Sequence, residues 1–466
     1  MTCNCSISQA ASAMAATAVS IDPSTRLYGV STDSRKLKQD ELFVALTGEN
    51  FDGHGFVSKA IAQGAVAAVV SKQWWEDWQK QQVDPIALPL LVVADTLRAY
   101  QDLARWWRQQ TNLPVIAVTG SAGKTTTKEL ISALLSCCTQ ADKRVHKSTA
   151  NHNNDIGVAQ TLLAIDPQQH QFVVVEMGMR GKGEIARLAK VAYPTVSVIT
   201  NIGTAHIGRL GSQEAIASAK CELLAEMSAE GIAVLNATDL LLLSTAKQVW
   251  QGRTLTYGLD IGDVKGELVD SKLQIDDKTW EMPLAGRHNA MNFLAGLAVL
   301  KALGLDWQPT MQGIGSLDLP FGRAQIHHLT DDVIILDETY NASPEATIAA
   351  IRLLADTPAR RRWAILGAMK ELGEMSEKLH RQVGEVVRDL NIDRLIVLSD
   401  GEADAIVAGA DKQARFVATC HSHAEITQVL LQEVKAGDRL LFKASRSVGM
   451  DRVVRDFQEA WQSQRV

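Results

Sequence analysis

The segment VIAVTGSAGKTTTKE, residues 115–129, contains an apolar run, a glycine-containing loop and a polar stretch, in that order. We predict a strand, a phosphate-binding loop and a helix, because the N–H groups of such a loop and of the helix N-terminus cradle a phosphate. The usual pattern G-x-x-x-x-G-K-[ST] places glycine where this chain has Val118. Val118 falls at the end of the strand, so its presence changes the shape of the loop more than its number of N–H donors. The alternative is a glycine–serine turn without a ligand.

Individual residues of this loop have separate predicted roles in binding a nucleotide. Lys124 would neutralise the β and γ phosphates, and the hydroxyl of Thr125 would bind Mg²⁺. Glycine at 120 and 123 lets the backbone approach the phosphates closely. The complete set of predicted contacts in the loop is Gly120, Ser121, Ala122, Gly123, Lys124, Thr125 and Thr126.

Apolar runs of strand length recur after residue 115, as VIAVTG, FVVVEMG, TVSVIT and GIAVLN. Unbroken runs of valine and isoleucine predict strands that are buried on both faces of a mostly parallel sheet. After the Gly/Pro-rich segment 313–323, apolar runs of strand length occur again, as DVIILDE, RWAILGA, DRLIVLSD and DRLLFKAS. We therefore predict two consecutive doubly wound α/β domains.

The chain is too long for one core, since it has 466 residues and 46% hydrophobic content. Its first part mixes short strands such as ELFVAL with the Trp-rich helical stretch WWEDWQKQQ, and it ends in RQQTN before Pro114. We predict an α/β protein of three domains. They are an N-terminal α/β domain (1–112), a central P-loop ATPase-like domain with a parallel sheet (113–315) and a C-terminal Rossmann-like domain (316–466).

Composition excludes several classes of protein. With 47 basic and 53 acidic residues, a net charge of −6 and a pI near 6.0, the chain is not expected to bind nucleic acid or an anionic membrane surface. The six cysteines have no matching cluster that would complete a zinc site, which predicts reduced thiols. No apolar run approaches the roughly 20 residues that span a bilayer. We expect a cytoplasmic enzyme, a monomer that acts on small molecules.

The loop TGSAGKTTTKE resembles the T-G-[TS]-x-G-K-T-[ST] loop of the Mur ligases, which build the peptide stem of bacterial peptidoglycan. The resemblance extends over nearly the whole chain, and the order and spacing of the motifs make it specific. The other matching motifs are STDSR (31–35), GENFDGHGFV (48–57), NHNNDIGVAQTLL (151–163), EMGMRGKGEI (176–185), NIGTAHIGRLGSQEAIASAKCEL (201–223), GRHNAMNFLAG (286–296), LDETYNASPEA (336–346), LGAMKELGEMSEKLH (366–380) and FKASRSVGMDRVV (442–454).

The resemblance implies an activity. YNASPEA and LGAMKELGE are similar to the family members that join D-alanyl-D-alanine to UDP-N-acetylmuramoyl-tripeptide (UDP-MurNAc-tripeptide) through an acyl phosphate, with ATP and Mg²⁺. Such an enzyme serves cell-wall synthesis and thereby cell shape and division. A sibling ligase that adds a single amino acid should carry D-N-P-R, which is absent here. The loop residues would also suit a P-loop small-molecule kinase or a non-catalytic nucleotide switch. The third residue of the tripeptide could equally be diaminopimelate or lysine.

Four residues are the candidates for catalysis: Lys124, Glu176, His206 and Lys220. Glu176 ends the run FVVVE and would face the crevice beside the loop. By residue type alone, His206 is as well explained as an ordinary loop histidine, and Lys220 as a solvated lysine on an alanine-rich helix. The resemblance implies instead that His206 binds the metal and that Lys220 is carbamylated. The predicted metal-binding set is Thr125, Glu176, His206 and Lys220.

The remaining site predictions also come from the resemblance. Asn289 and Asn292, spaced to share one helix face, would contact adenine, although Asn289 alone would suit a helix cap. Further nucleotide contacts in the third domain would be Arg323, Asp337, Tyr340 and Asn341, and Ser343 and Pro344 suit the start of the next helix. The predicted substrate contacts are Ser31, Asp33, Ser34, Arg35, His54, Asn151, Asn153 and Asn154. For Arg35 the ordinary alternative is a surface ion pair.

One departure from the family pattern affects the last motif. The family usually has glycine where FKASRS has Ala444. The replacement would matter if the backbone there needed a positive φ, which would make Lys443 and Ser445 less secure as site residues.

Overall fold

A computed structural model describes residues 2–49, 51–81, 87–314, 317, 319–411 and 416–463. The chain forms three mixed α/β parts, each built around its own sheet, which confirms the predicted fold class. The predicted boundary between 315 and 316 falls outside the described residues. Within the described ranges no helix is long and apolar enough to cross a membrane.

The N-terminal part contains a five-stranded sheet. Its strand order is β2-β9-β8-β5-β4, parallel from β9 to β4, and two short antiparallel pairs, β1–β3 and β6–β7, lie beside it. The elements are β1 (Asn4–Ser6), α1 (Ile7–Met14), β2 (Thr17–Val19), β3 (Arg26–Tyr28), β4 (Val30–Ser31), β5 (Leu42–Val44), β6 (Thr47–Gly48), β7 (Phe51–Asp52), α2 (Val57–Ala62), β8 (Ala67–Ser71), α3 (Lys72–Gln81), β9 (Leu90–Val93) and α4 (Thr96–Gln110).

The central part has a sheet of order β11-β12-β10-β13-β14-β15-β16-β17-β18, parallel as far as β16. Its elements are β10 (Val115–Thr119), α5 (Lys124–Ser136), β11 (Arg144–Lys147), α6 (Asp155–Leu163), β12 (His170–Glu176), α7 (Glu184–Ala192), β13 (Val196–Ile199), α8 (Ile207–Leu210), α9 (Gln213–Ala225), β14 (Ile232–Asn236), α10 (Leu240–Val249), β15 (Arg253–Leu259), β16 (Val264–Val269), β17 (Lys272–Ile275), β18 (Lys278–Glu281) and α11 (Arg287–Ala302). The order reverses at β10, so its carboxyl end lies at the switch point where ligands bind in such sheets.

The C-terminal part repeats this plan with the order β19-β20-β24-β21-β22-β23, in which only β19 is antiparallel. Its elements are β19 (Gln325–His328), β20 (Ile334–Asp337), α12 (Pro344–Asp356), β21 (Arg361–Leu366), α13 (Ser376–Asp389), β22 (Arg394–Leu398), α14 (Asp404–Ala410), β23 (Val417–Cys420), α15 (His423–Glu433), β24 (Asp438–Lys443) and α16 (Asp451–Ser463). Ser343 caps α12 and Pro344 is its first residue, as predicted.

Strand β10 explains why a run of apolar residues forms the centre of a parallel sheet. Val115 and Ala117 pack into the core on one face, and Ile116 and Val118 into the core on the other face. All four side chains are fully buried. Both faces of the strand therefore need apolar residues, and Val118 serves as a core residue just before the loop.

Helix α4 joins the N-terminal part to the central part close to the predicted boundary at 112. The indole N–H of Trp107 donates to Ile165 O at 3.2 Å. The guanidinium of Arg108 donates to Ala192 O and Tyr193 O, both at 3.2 Å. These hydrogen bonds run from the N-terminal part to the central part, so they hold α4 against the central part.

Two stacked histidines on neighbouring strands predict a loss of stability in acid. The rings of His146 and His170 lie 4.6 Å apart, and burial together with the nearby His146 lowers the pKa of His170 to about 4. An unfolded histidine has a pKa near 6.5, so the unfolded chain binds the proton more readily between these values. The free energy of unfolding is therefore not reduced by His170 above about pH 6.5, and it decreases as the pH falls from there toward 4. We expect the urea midpoint to fall less between pH 7.5 and 5 in His170→Gln than in wild type; equal declines would contradict this account.

Candidate active site

A cavity of about 930 Å³ lies between the central and C-terminal parts. The phosphate loop and α11 line one side, and the loops after β20, β21 and β24 line the other. The predicted site residues that line it are Ser121, Ala122, Gly123, Lys124, Thr125, Thr126, His206, Asn289, Asn292, Arg323, Tyr340 and Asn341. The two halves of the predicted nucleotide site thus meet in one place. Gly120, Glu176, Lys220 and Asp337 are not among the lining residues.

The phosphate loop depends on its two glycines and on the end of β13. Gly120 has φ 151° and Gly123 has φ 80°, which favour glycine, and a Cβ at Gly120 would lie 1.8 Å from Thr200 Oγ1. Asn201 Oδ1 accepts from Ala122 N at 2.9 Å, and Asn201 Nδ2 donates to Ala122 O at 3.0 Å. The first-turn N–H groups of α5, which lack partners within a helix, remain for a ligand.

Lys124 is partly buried at the loop and its ammonium group folds back on the backbone. Nζ donates to Gly120 O at 2.8 Å. Burial lowers the pKa of Lys124, the negative charge of Glu176 opposes that change, and the positive charge of Arg323 adds to it. Burial is thus the main reason that the ammonium form of Lys124 is disfavoured.

The C-terminal part adds further positive charge. Lys443 is buried and donates to Asn341 O at 2.9 Å, and burial is the main cause of its lowered pKa. The guanidinium of Arg323 lies 3.9 Å from the ring centroid of Tyr340, and its buried Nε has no hydrogen-bond partner within the described ranges. The cationic side chains of Lys124, Arg323 and Lys443, gathered around one cavity, indicate a site for an anionic ligand such as a triphosphate.

Ala444 does not have the positive φ that would have required glycine. It is fully buried next to Lys443, which ends β24. The replacement therefore leaves the geometry of this motif intact. Asp337, in contrast, is buried away from the cavity surface, where its Oδ1 accepts from Thr339 N at 3.0 Å.

Glu176 lies beside the loop, because it pairs in register with Val118 across β10 and β12. It is 2% exposed, and its Oε1 accepts from Asn153 Nδ2 at 2.8 Å. Its Oε2 is buried without a hydrogen-bond partner in the described part of the chain and lies 4.0 Å from Lys128 Nζ. A buried carboxylate oxygen that accepts no hydrogen bond, beside the predicted phosphate loop, is compatible with a bound cation.

Lys128 is a site residue that the sequence did not reveal. It is fully buried, and its Nζ donates to Ser148 O at 2.8 Å and lies 3.0 Å from Glu129 Oε1. A lysine on the helix after the loop would ordinarily be solvated. The one available signal in the sequence was its position one turn after Lys124, which places both lysines on the same face of α5 and so toward Glu176.

His206 precedes α8 and has φ 67°, a left-handed conformation that is unusual outside glycine. Its Nδ1 donates to the carboxylate of Glu371 in the C-terminal part. Burial lowers the pKa of His206, and Lys124 and Lys220 add to this against the effect of Glu371. The cavity thus contains an imidazole that favours the neutral form.

Lys220 lies on α9 and is 1% exposed, so the interpretation of it as a solvated lysine is wrong. Among the residues that the structure describes, it has no hydrogen-bond or ion-pair partner. Burial and the nearby Lys124 hold the pKa of Lys220 well below its usual range. The amine is therefore far easier to obtain in the neutral form than that of an exposed lysine.

The residues predicted to bind a metal do not form a complete set of side-chain ligands. Across the described ranges, no three His, Cys, Asp or Glu side chains come together in a metal-binding arrangement. Mg²⁺ at Glu176 would need further oxygens, such as the Thr125 hydroxyl and those of the substrates.

Asn289 and Asn292 share one face of α11, as predicted. Asn292 Nδ2 donates to Asn289 Oδ1 at 3.3 Å, and Asn292 Oδ1 accepts from Thr127 Oγ1 at 3.1 Å. The cap of α11 is Gly286, so the interpretation of Asn289 as the cap is wrong. Both amides lie on the cavity wall beside the phosphate loop.

The predicted substrate contacts of the N-terminal part lie outside this cavity. Arg35 forms a two-bond ion pair with Asp33, with both distances 2.9 Å, and these bonds lower the pKa of Asp33 to about 2. His54 is buried, its Nδ1 donates to Asp52 at 2.6 Å and its Nε2 accepts from Ser71 N at 3.0 Å. Both ring nitrogens are thus engaged within the domain.

The remaining predicted substrate residues have local partners or are exposed. Ser31 Oγ donates to Asp33 O at 3.1 Å, and Ser34 is buried. Asn154 caps α6 by accepting from Gly157 N at 2.9 Å, and Asn151 is exposed. Their contacts with a substrate stay predictions.

Comparison with known proteins finds matches to one family over most of the chain. Family profiles match as follows: Mur ligase family, catalytic domain, at residues 26–107; Mur ligase middle domain at 118–300; Mur ligase, glutamate ligase domain, at 322–446. The UDP-N-acetylmuramoyl-tripeptide–D-alanyl-D-alanine ligase of Synechocystis sp. is 47% identical over 432 residues, which cover 92% of this chain and 91% of that protein. The Bacillus subtilis enzyme of the same name is 37% identical and covers 94% of both chains.

Solved structures have the same fold. MurF from Acinetobacter baumannii superposes with a TM-score of 0.84 and 29% identity, covering 98% of this chain and 99% of that chain. MurF ligase from Thermotoga maritima in complex with ADP superposes with a TM-score of 0.80 and 30% identity, covering 94% of this chain and 98% of that chain.

Proposed function

The chain belongs to the Mur ligase family, and on that premise we propose that it is the ATP-dependent ligase that joins D-alanyl-D-alanine to UDP-MurNAc-tripeptide. The observation that carries the proposal is the single cavity in which the Lys124 loop and the Arg323, Tyr340 and Lys443 group meet. The names of the full-length relatives support the choice of substrates. The enzyme would act in the cytoplasm, as a monomer, in peptidoglycan precursor synthesis.

The reaction needs ATP because a carboxylate has no good leaving group. An oxygen of the tripeptide carboxylate attacks the γ-phosphorus and ADP leaves, which produces an acyl phosphate. The amine of D-alanyl-D-alanine then attacks the carbonyl carbon, a proton is lost from nitrogen and inorganic phosphate departs. Most of the protein's contribution is to position the reactants and neutralise charge.

Cations on both sides of the cavity suit this chemistry. Lys124 and the first-turn N–H groups of α5 would bind the phosphates, and Arg323 and Lys443 would add positive charge from the other side. Asn289 and Asn292 would recognise adenine, whose N6 and N7 match an amide's acceptor and donor. The relative MurF ligase solved in complex with ADP supports the binding of an adenine nucleotide.

The residues present fit Mg²⁺ at the inner end of the site. The Oε2 of Glu176, which accepts no hydrogen bond within the described residues, and the hydroxyl of Thr125 are oxygen ligands of the kind that this ion prefers. When bound, Mg²⁺ would neutralise charge on the transferred phosphoryl group. His206 would be a further neighbour of the ion.

Lys220 would complete this set as a carbamate. Its neutral nitrogen attacks the carbon of CO₂, one proton is lost, and an anionic carbamate with two oxygens replaces the amine. The lowered pKa of the buried side chain supports this reaction, because only a neutral amine can attack CO₂. The carbamate would also place a negative charge near Lys124, whose positive charge now acts on Lys220.

A product assay tests the proposed function. We expect incubation with ATP, Mg²⁺, UDP-MurNAc-tripeptide and D-alanyl-D-alanine to yield the pentapeptide product, ADP and free phosphate, measured by mass spectrometry. Phosphate should appear only when both substrates are present. A phosphorylated product that persists would favour a small-molecule kinase, and efficient addition of a single amino acid would favour a sibling ligase.

A further inference from the structure

One loop of the central part forms several hydrogen bonds with the C-terminal part. This His206 loop, residues 201–211, connects β13 to α9 and includes α8. Two carboxylates reach it across the cavity. Glu371 lies in the loop after β21, and Glu345 lies in the first turn of α12.

Glu371 binds the His206 loop with its side chain and its backbone. One carboxylate oxygen accepts from His206 Nδ1, and the other lies 3.1 Å from Arg209 Nη2. The carbonyl oxygen of Glu371 accepts from Gly208 N at 3.1 Å. Every acceptor group of this residue therefore contacts the same loop.

Two further contacts bring the loop against the C-terminal part. Thr204 donates to Glu345 Oε1 from its N–H at 2.6 Å and from its hydroxyl at 2.8 Å. A Cβ added to Gly208 would lie 2.5 Å from Gly373 N, so the two backbones touch. The interface has no room for a side chain at this point.

The conformation of His206 needs outside support. A non-glycine residue keeps a φ of 67° only where its surroundings hold it there. The contact with Glu371 occupies Nδ1, so Nε2 is the ring nitrogen left for another partner. Carboxylates that bind a histidine in this way fix its tautomer and orientation.

We propose that Glu371 is a positioning residue that sets the ring of His206 for catalysis only while the C-terminal part is docked on the central part. Arg323 and Lys443, which would bind the nucleotide, belong to the C-terminal part together with Glu371, so nucleotide binding would favour the docked arrangement. Docking and completion of the site are thereby linked. The catalytic consequence rests on the proposed ligase function, whereas the docking contact does not.

The test compares Glu371→Ala with Glu374→Ala, which removes an exposed carboxylate from the same segment without touching His206. We expect Glu371→Ala to lower kcat by about 10- to 100-fold, as loss of such a supporting carboxylate does elsewhere. The KM for ATP should change much less than kcat, since Lys124 and the N–H groups of its loop would still contact the phosphates. Glu371→Gln, which keeps an acceptor for the ring, should recover most of the loss, and Glu374→Ala should match wild type.

Hydrogen exchange provides a readout that is independent of turnover. With a non-hydrolysable ATP analogue bound, Glu371→Ala should speed exchange in peptides covering residues 201–211 by about tenfold, because the docked loop loses protection. Gly208→Ala, a steric wedge that removes no charge, should do the same. Glu374→Ala should leave exchange unchanged.

The outcomes separate this proposal from the proposed function. A wild-type kcat in Glu371→Ala, an equal loss in Glu374→Ala, or unchanged exchange of the loop would overturn the role of Glu371. Failure of the wild-type protein to form the amide product would overturn the ligase function instead. Faster exchange in Glu371→Ala and Gly208→Ala would still support the docking contact in that case.

Discussion

Lys124→Ala is expected to lower the rate of amide formation by about 10²-fold or more, as loss of a charge-stabilising group at a phosphoryl transfer site commonly does. Lys124 is the cation of the phosphate loop, and its Nζ lies 2.8 Å from Gly120 O at the cavity wall. The side chain would neutralise charge on the phosphoryl group as it moves from ATP to the carboxylate. Phosphate release in the presence of both substrates measures the effect.

The fold should survive this change, because the shape of the loop is set by other contacts. Thr200 Oγ1 donates to Ala122 O at 2.6 Å and Asn201 holds the same residue from both sides. A matched control is Lys247→Ala, which removes an exposed lysine from α10 and should leave turnover unchanged. A folded Lys124→Ala protein with near-normal turnover would overturn the assignment of the loop.

The fold was predictable because its signals are local. The Val/Ile runs of β10 and β12 fill two cores at once, and the spacing of Gly120 and Gly123 marks the loop that follows. The i, i+3 spacing of Asn289 and Asn292 likewise placed both amides on one face of α11. Such patterns follow from the geometry of a single element.

The parts of the site that escaped prediction depend on contacts between distant segments. Lys128 is buried because Ser148 and Glu176 surround it, and Glu371 faces His206 from another domain. Apart from the spacing of Lys128 from Lys124, the neighbouring sequence does not distinguish these residues from solvated charges. The same limit applies to His54, whose two ring nitrogens are taken by Asp52 and Ser71.

Lys220→Ala is expected to be nearly inactive, because the carbamate proposed at this position would supply an anion that no nearby residue replaces. The side chain is buried and forms no ion pair within the described ranges, and the charge of Lys124 further disfavours its cationic form. An exposed lysine has a pKa near 10.4, so a pKa held well below that value makes the neutral amine more accessible. Both observations are what formation of a carbamate requires.

Chemical rescue distinguishes this role from simple packing. Short carboxylic acids such as formate or acetate should partly restore turnover in Lys220→Ala, because their oxygens can occupy the place of the carbamate. They should not rescue Lys220→Arg, whose cation fills the same space and cannot form a carbamate at neutral pH, since its pKa exceeds about 12. Thermal unfolding of both variants checks that the fold is intact. Full activity of Lys220→Ala in carbonate-free buffer, or a bare ammonium at Lys220 in crystals with substrates bound, would show that no carbamate is needed.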